Sequence, residues 1–210
     1  KIPAVAISTN DADLLSRLLQ QESIRVYMRT TCETFPDKPS YNVIGEIRGS
    51  EYPEEIIVVG GHLDSWDVGQ GAHDDGSGCV QAMEVLQLIK RLGYQPRRTI
   101  RAVMFMNEEN GLRGGLAYAE ASNAKGEYHL AAIESDRGGF TPRGFSADGD
   151  ESIFENKFKK VTRWLPLLEP YGLTFSIGGS GADINPLKSQ KGLLFGLMPD
   201  SQRYFDYHHT

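Results

Sequence analysis

The sequence predicts a three-layer α/β/α sandwich around a mixed, largely parallel central sheet. Two observations predict it. From residue 55 onward, short apolar runs alternate with longer stretches of helical period. Polar residues able to hold a metal or a proton recur just past the ends of those runs, the edge at which open α/β sheets bind their ligands.

Taken in order, residues 3–8 read as a short strand, and Asn10 or Asp11 as the cap of a helix bearing Leu14, Leu15, Leu18 and Leu19 on one face. Residues 24–33 alternate as a strand, with Val26 and Met28 opposite Arg25 and Tyr27. A turn at 35–39 leads to a second strand over 41–48, and a turn at 51–54 feeds the buried run Ile56-Ile57-Val58-Val59. After Gly78 a helix carries Val80, Met83, Val85, Leu86 and Ile89 to a stop near Gly93. A strand over 99–106 runs into Asn107-Glu108-Glu109, a helix covers 112–124, and a strand over 128–135 ends at Asp136. An amphipathic helix spans 154–168 with Pro166 near its end. A strand over 171–177, a glycine-rich loop at 178–183 opening a short helix, a strand over 193–198 and an aromatic-rich loop to His209 complete the chain.

A chain of 210 residues can bury one sizeable core and reads as a single domain with a fragment of another. Its net charge of −6 and lack of a basic stripe argue against nucleic acid as a partner. No apolar run approaches the ~20 residues that span a bilayer. Cys32 and Cys79 cannot make a disulfide framework, and Cys79, at a helix start, reads as a small buried side chain. Beginning at Lys1 and ending just past His208-His209, the sequence reads as a segment of a longer chain.

The candidate site is a recurrence. His62, Glu108-Glu109, Asp136 and His209 each follow a predicted strand, and Asp74 lies on the loop after His62. Taken singly, each has a plain explanation: Asp74-Asp75 capping a helix, Glu108-Glu109 as a solvated helix start, Asp136 as a loop cap, His208-His209 as surface. Taken together, two histidines and three carboxylates at one sheet edge point to divalent ions, zinc first, with Mn2+ or Co2+ as alternatives. One ion rarely needs five protein ligands and an open position, so two ions sharing a carboxylate fit better. The carboxylate of Asp64, two residues past His62, is placed to orient its ring. His129 reads as a solvent-facing strand residue and His73 as a neighbour of the site. Arg137, Arg143 and Arg203 are candidate partners for a substrate carboxylate, and Asp183 or Asp200 for a substrate amine.

Gly61-His62-Leu63-Asp64-Ser65, Asp74-Asp75-Gly76-Ser77-Gly78, Asn107-Glu108-Glu109, Glu134-Ser135-Asp136 and His208-His209-Thr210 resemble, in this order, the motifs of the co-catalytic zinc exopeptidases. That family includes bacterial aminopeptidases and the glutamate carboxypeptidases. The resemblance implies one zinc held by His62 and Asp136, another by Glu109 and His209, and Asp74 bridging the two. It also implies that Asp64 orients His62, that Glu108 is the general base and that the Asp74–Asp75 peptide is cis. Residues 1–20 would be the tail of a protease-associated-type lid domain or the segment rejoining it, and 21–210 the catalytic domain, cut short at its C-terminus. Many relatives carry Tyr where this chain has His208, so the imidazole would take over donation to the tetrahedral intermediate. The chain also stops before the aspartate that relatives place four residues past the last histidine. The implied activity is a zinc-dependent exopeptidase acting on dipeptides or short peptides, as a dipeptidase or carboxypeptidase. The alternatives are an aminopeptidase of the same family, a receptor-like scaffold without catalysis, or an acyltransferase such as glutaminyl cyclase. Two Zn2+ per chain, a peptide substrate, a homodimer and a secreted or periplasmic location follow from the same resemblance.

Overall fold

The structure, a computed structural model, describes residues 4–210, and the chain divides into two units, Lys1–Pro39 and Ser40–Thr210. In the first, a helix α1 (Thr9–Leu19) forms where the leucine spacing predicts one. Its cap is Ser8 rather than Asn10 or Asp11: the serine Oγ accepts the Asp11 N–H at 3.1 Å and donates to the Asp11 carboxylate at 2.7 Å. Residues 4–8 and 23–39 carry no regular element, so the strands expected over 3–8 and 24–33 do not form among the described residues (Pro3 lies outside them). Alternation supplies a face, but a strand also needs a ladder partner, and neither stretch has one.

The second unit is built on a seven-stranded sheet. Its strands are β1 (Val43–Ile47), β2 (Tyr52–His62), β3 (Arg98–Phe105), β4 (Tyr128–Glu134), β5 (Pro142–Gly149), β6 (Thr174–Ile177) and β7 (Leu193–Pro199), in the order β1-β3-β2-β4-β7-β5-β6. Strands β3, β2, β4 and β7 run parallel through the middle; β1 joins β3 antiparallel, and β5 joins β7 antiparallel. The sheet is therefore mixed and largely parallel, as predicted.

Period two sorts the core. On one face Ile56, Val58, Val103, Phe105, Ala132 and Leu194 pack with Tyr118 and Ala119 of α4 (Arg113–Lys125) and with Leu187 of a 3-10 turn. On the other, Val59, Ala102 and Met104 meet Cys79, Ala82 and Leu86 of α2 (Ser77–Arg91), while Ala131, Ile133, Leu193 and Phe195 meet Phe154 and Phe158 of α5 (Phe154–Val161). Strand β4 is thus covered on both faces, which overturns the reading of His129 as solvent-facing. It is 1% exposed, and its ring is bonded to Tyr118, Ser122 and Gln190.

Three further expectations are revised. Residues 52–54 belong to β2 instead of a turn, with a register shift between Tyr52 and Ile56 that accommodates Pro53. The helix expected over 154–168 breaks into α5, a 3-10 turn, α6 (Leu165–Leu168) and another 3-10 turn, because Pro166 and Pro170 offer no N–H to the preceding turn. Strand β5 was not anticipated; Gly144, Ser146 and Asp148 give it little intrinsic strand preference, and its place between β7 and β6 makes it one.

Two crossovers position the site. Helix α2 carries the chain from β2 to β3 on one side, and α4 carries it from β3 to β4 on the other side of β2. The carboxyl end of β2 is therefore the switch point of the sheet, where a crevice must open.

Candidate metal centre

Strand β2 ends on His62, 1% exposed. Gly61 before it cannot carry a side chain, since a Cβ there would run into the Asp75 carboxylate. That carboxylate ties the strand end to the start of α2: Oδ2 accepts the His62 N–H at 2.9 Å and Oδ1 the Gly78 N–H at 3.0 Å. Burial, then the nearby Asp136 charge, push the Asp75 carboxyl up to about 8. Cys79, buried as expected, donates its thiol to the His62 carbonyl at 3.0 Å.

The His62 ring is oriented by Asp64, although not through the carboxylate. Its Nδ1 lies 2.9 Å from the Asp64 backbone oxygen and 3.8 Å from the carboxylate. A carbonyl only accepts, so Nδ1 carries a proton, and a neutral ring would turn its Nε2 lone pair on Asp74 Oδ1 and Asp136 Oδ1, both at 3.1 Å. Three acceptors facing one another need a cation among them. Burial works against the protonated ring, but the Asp136 and Asp74 carboxylates outweigh it and raise its pKa to about 12. A divalent ion meets the same need, with the Nδ1–H to carbonyl bond fixing the tautomer as metal-bound histidines require. The residues present therefore fit a metal.

The Asp64 carboxylate has a different task. Its Oδ1 accepts the Glu108 N–H at 3.0 Å and its Oδ2 the Glu109 N–H at 3.3 Å, capping the short helix α3 (Glu108–Gly111). Asn107 enters that helix at φ 70°, a left-handed conformation asparagine tolerates. One residue thus holds the His62 ring by its backbone and the glutamate pair by its side chain.

On the far side, Asp74 Oδ2 lies 3.4 Å from His208 Nε2 and 3.7 Å from His209 Nε2. Burial would raise the Asp74 carboxyl, but His62, His208 and His209 hold it below the usual range. His209 Nε2 is also 3.1 Å from Glu109 Oε2, and Glu109 Oε1 is buried with no hydrogen-bond partner among the described residues. Two clusters of ligand atoms result, His62/Asp74/Asp136 and Asp74/His208/His209, each within 4.8 Å. All five expected ligands come together, Glu109 through His209. The Asp74–Asp75 peptide is cis.

Aromatic rings position the last loop. Trp66 stacks on His209 at 4.8 Å, His209 on His208 at 3.7 Å, and Tyr204 of α7 (Tyr204–Tyr207) lies 4.8 Å beyond His208. His73, expected as a neighbour, packs against Phe140 and Tyr207.

Beneath the site lies an acidic layer, Glu134 and Asp183, that the motifs show only in part. Glu134, 1% exposed, accepts the Ile184 N–H at 2.9 Å through Oε2 and lies against Gly181, where a Cβ would collide with it. Asp183 is as deeply buried, with neither carboxylate oxygen bonded among the described residues; burial and then the Glu108 charge raise it to about 7. Burial, then Asp136, also raise Glu108. The contacts of Asp75 and Trp66 with the site are not legible in the sequence either. The only signal for them was position, beside Asp74 and four residues past His62.

A parallel-sheet edge presenting two groups of imidazoles and carboxylates that share one aspartate has the donor set of a metal-binding domain. Residues 42–210 match the family model for Peptidase family M28, and the chain belongs to that family. It is similar to carboxypeptidase Q of Mus musculus (40% identical over 214 residues, 100% of this chain and 44% of the relative) and of Bos taurus (38% over 216 residues, 100% and 44%). Among solved structures it resembles the Peptidase M28 precursor from Shewanella amazonensis, 34% identical, with TM-score 0.76 over 95% of this chain and 45% of that one. The chain spans less than half the length of these relatives.

Proposed function

We propose that the protein is a zinc-dependent exopeptidase that cleaves dipeptides or short peptides as a dipeptidase or carboxypeptidase. The observation that carries this reading is the Asp74 carboxylate, one oxygen facing His62 and Asp136 and the other facing His208 and His209. His62 and Asp136 would hold one Zn2+, Glu109 and His209 a second, with Asp74 between them. Two such ions would supply Lewis acidity and lower the pKa of a water.

The chain's own residues do the rest. Glu108 stands beside Glu109 with its N–H on Asp64, and its raised carboxyl suits a group that takes a proton from water and passes it to the leaving amine. His208, held between His209 and Tyr204, donates to the oxygen of the carbonyl under attack. Its distance to Asp74 would also suit a third ligand, and the metal content of His208→Phe separates the two roles. A peptide substrate, secretion or periplasmic export and homodimerisation belong to the same reading. Among the described residues no helix is long and apolar enough to cross a membrane.

The test is paired. Glu108→Gln in the full-length protein should keep two zinc ions per chain and lose a factor of ~10²–10⁴ in kcat; Glu109→Ala should lose one ion. Elemental analysis showing one ion or none in zinc-loaded wild type would refute the two-ion reading.

A further inference from the structure

Beside Asp136 the crevice continues into a pocket of about 440 Å3, between the end of β4, the loop at 180–182 and the end of β7. That volume is enough for a peptide side chain or terminus. Leu197, Met198 and Pro199 make an apolar wall, and Arg137 lines the pocket next to the predicted metal ligand Asp136.

Of the three arginines singled out in the sequence, two are engaged. Arg143 donates to Asp200 at 3.0 Å, and the Arg203 guanidinium lies 4.5 Å over the Phe140 ring. Asp200, a candidate for a substrate amine, is thereby occupied. Arg137 differs. Among the described residues its one hydrogen-bond partner is the Met198 thioether at 3.2 Å, a weak acceptor. It has no carboxylate partner there, although the pocket contains two. Asp136 turns toward His62 Nε2 at 3.1 Å, and Glu134 has one oxygen on the Ile184 N–H and lies against Gly181. A guanidinium offers five N–H donors in a planar fork that matches a carboxylate.

We propose that Arg137 makes this pocket a carboxylate site, so that the protein selects peptides presenting a carboxylate beside the scissile bond. The proposal rests on the peptidase reading above. The carboxylate is that of an acidic side chain or of the peptide's own C-terminus, and the two are separable by experiment.

The experiment measures kcat/KM of the full-length, zinc-loaded protein on two matched pairs of peptides. One pair carries Glu or Gln at the same position; the other carries a free or an amidated C-terminus. In wild type the carboxylate member of one pair is preferred, and Arg137→Ala cuts that preference by roughly ten- to a hundredfold, the worth of a charge-assisted hydrogen bond. Loss in the Glu/Gln pair identifies a side chain; loss in the acid/amide pair identifies the terminus. Arg137→Glu should turn the preference toward a Lys-bearing peptide. Arg137 is exposed, so neither variant threatens the fold. Preferences left unchanged in both pairs by both variants overturn the proposal. Calorimetric binding of the same peptides to Glu108→Gln protein reads the preference without turnover, so a failure of catalysis and a failure of the carboxylate site are told apart.

Discussion

Asp64 shows how much a single residue can coordinate. Its carbonyl fixes the His62 ring and its carboxylate caps the helix bearing Glu108 and Glu109, so its two halves serve opposite sides of the predicted ion pair. Truncating the side chain should separate those services. Asp64→Ala leaves the carbonyl in place and frees two amide hydrogens at the start of α3, a loss of about 0.5–2 kcal/mol by comparison with other caps. The expected outcome is a ten- to hundredfold weaker second ion, as for other supporting partners of metal ligands, with the His62 site keeping its affinity. Competition titrations with a zinc chelator resolve the two sites. Equal weakening of both would mean that the carboxylate supports the imidazole after all.

The contact between α4 and β4 makes a second case, at the scale of elements. Arg101 on β3 donates to the Tyr118 hydroxyl at 3.0 Å, which lies 2.7 Å from His129 Nε2; His129 Nδ1 lies 2.9 Å from Gln190 Oε1, and Gln190 Nε2 donates to Ser122 Oγ and Asn123 Oδ1. Only one proton arrangement satisfies the series: a neutral His129 protonated on Nδ1 and accepting from Tyr118. Burial lowers the pKa of this ring below its ordinary 6.5, with Arg101 adding to the effect while Gln190 and Glu127 oppose it. An unfolded chain therefore takes up a proton below about pH 6.5 that the folded ring refuses. The stabilisation is complete above that pH and drains away as pH falls toward the depressed folded value. His129→Ala, which strands the Tyr118 hydroxyl and the Gln190 side chain, should destabilise by about 1–3 kcal/mol near pH 7.5. The gap in Tm between wild type and variant should narrow by pH 5. A gap constant across that range would mean that the ring is not held neutral.

At the scale of the whole second unit, the predicted ligands come from five separate segments: the end of β2, the loop before α2, the starts of the connections after β3 and β4, and the loop after β7. Metal bound there ties together parts of the chain far apart in sequence. Removing it leaves Asp74, Asp136 and Glu109 in a partly buried site with only the imidazoles of His62, His208 and His209 to offset their charge. Chelation of the full-length protein should lower Tm, and zinc at a hundred times its Kd should stabilise by about 2.7 kcal/mol. Calorimetric melts that coincide with and without chelator would exclude these residues as a structural metal site.

The sequence by itself determined the parallel core, the edge where function would lie and the five predicted ligands. Short apolar runs bounded by turn residues read as buried strands, and ligand residues recurring after several of them can meet at one edge of a parallel sheet. What it did not determine depends on neighbours distant along the chain. Asp64 acts through its carbonyl because the loop after β2 brings its carboxylate under the Glu108 and Glu109 amides. β5 is a strand because β7 and β6 flank it, and residues 24–33 are not because no strand among the described residues pairs with them. His129 is buried because β4 is central in the sheet. Among the described residues Arg137 is left without an anion because Asp136 turns toward His62 and Glu134 toward Ile184. Periodicity encodes which face of an element is apolar; only packing decides which polar atoms find each other, because a hydrogen bond requires two partners within ~3 Å and sequence spacing fixes the position of neither.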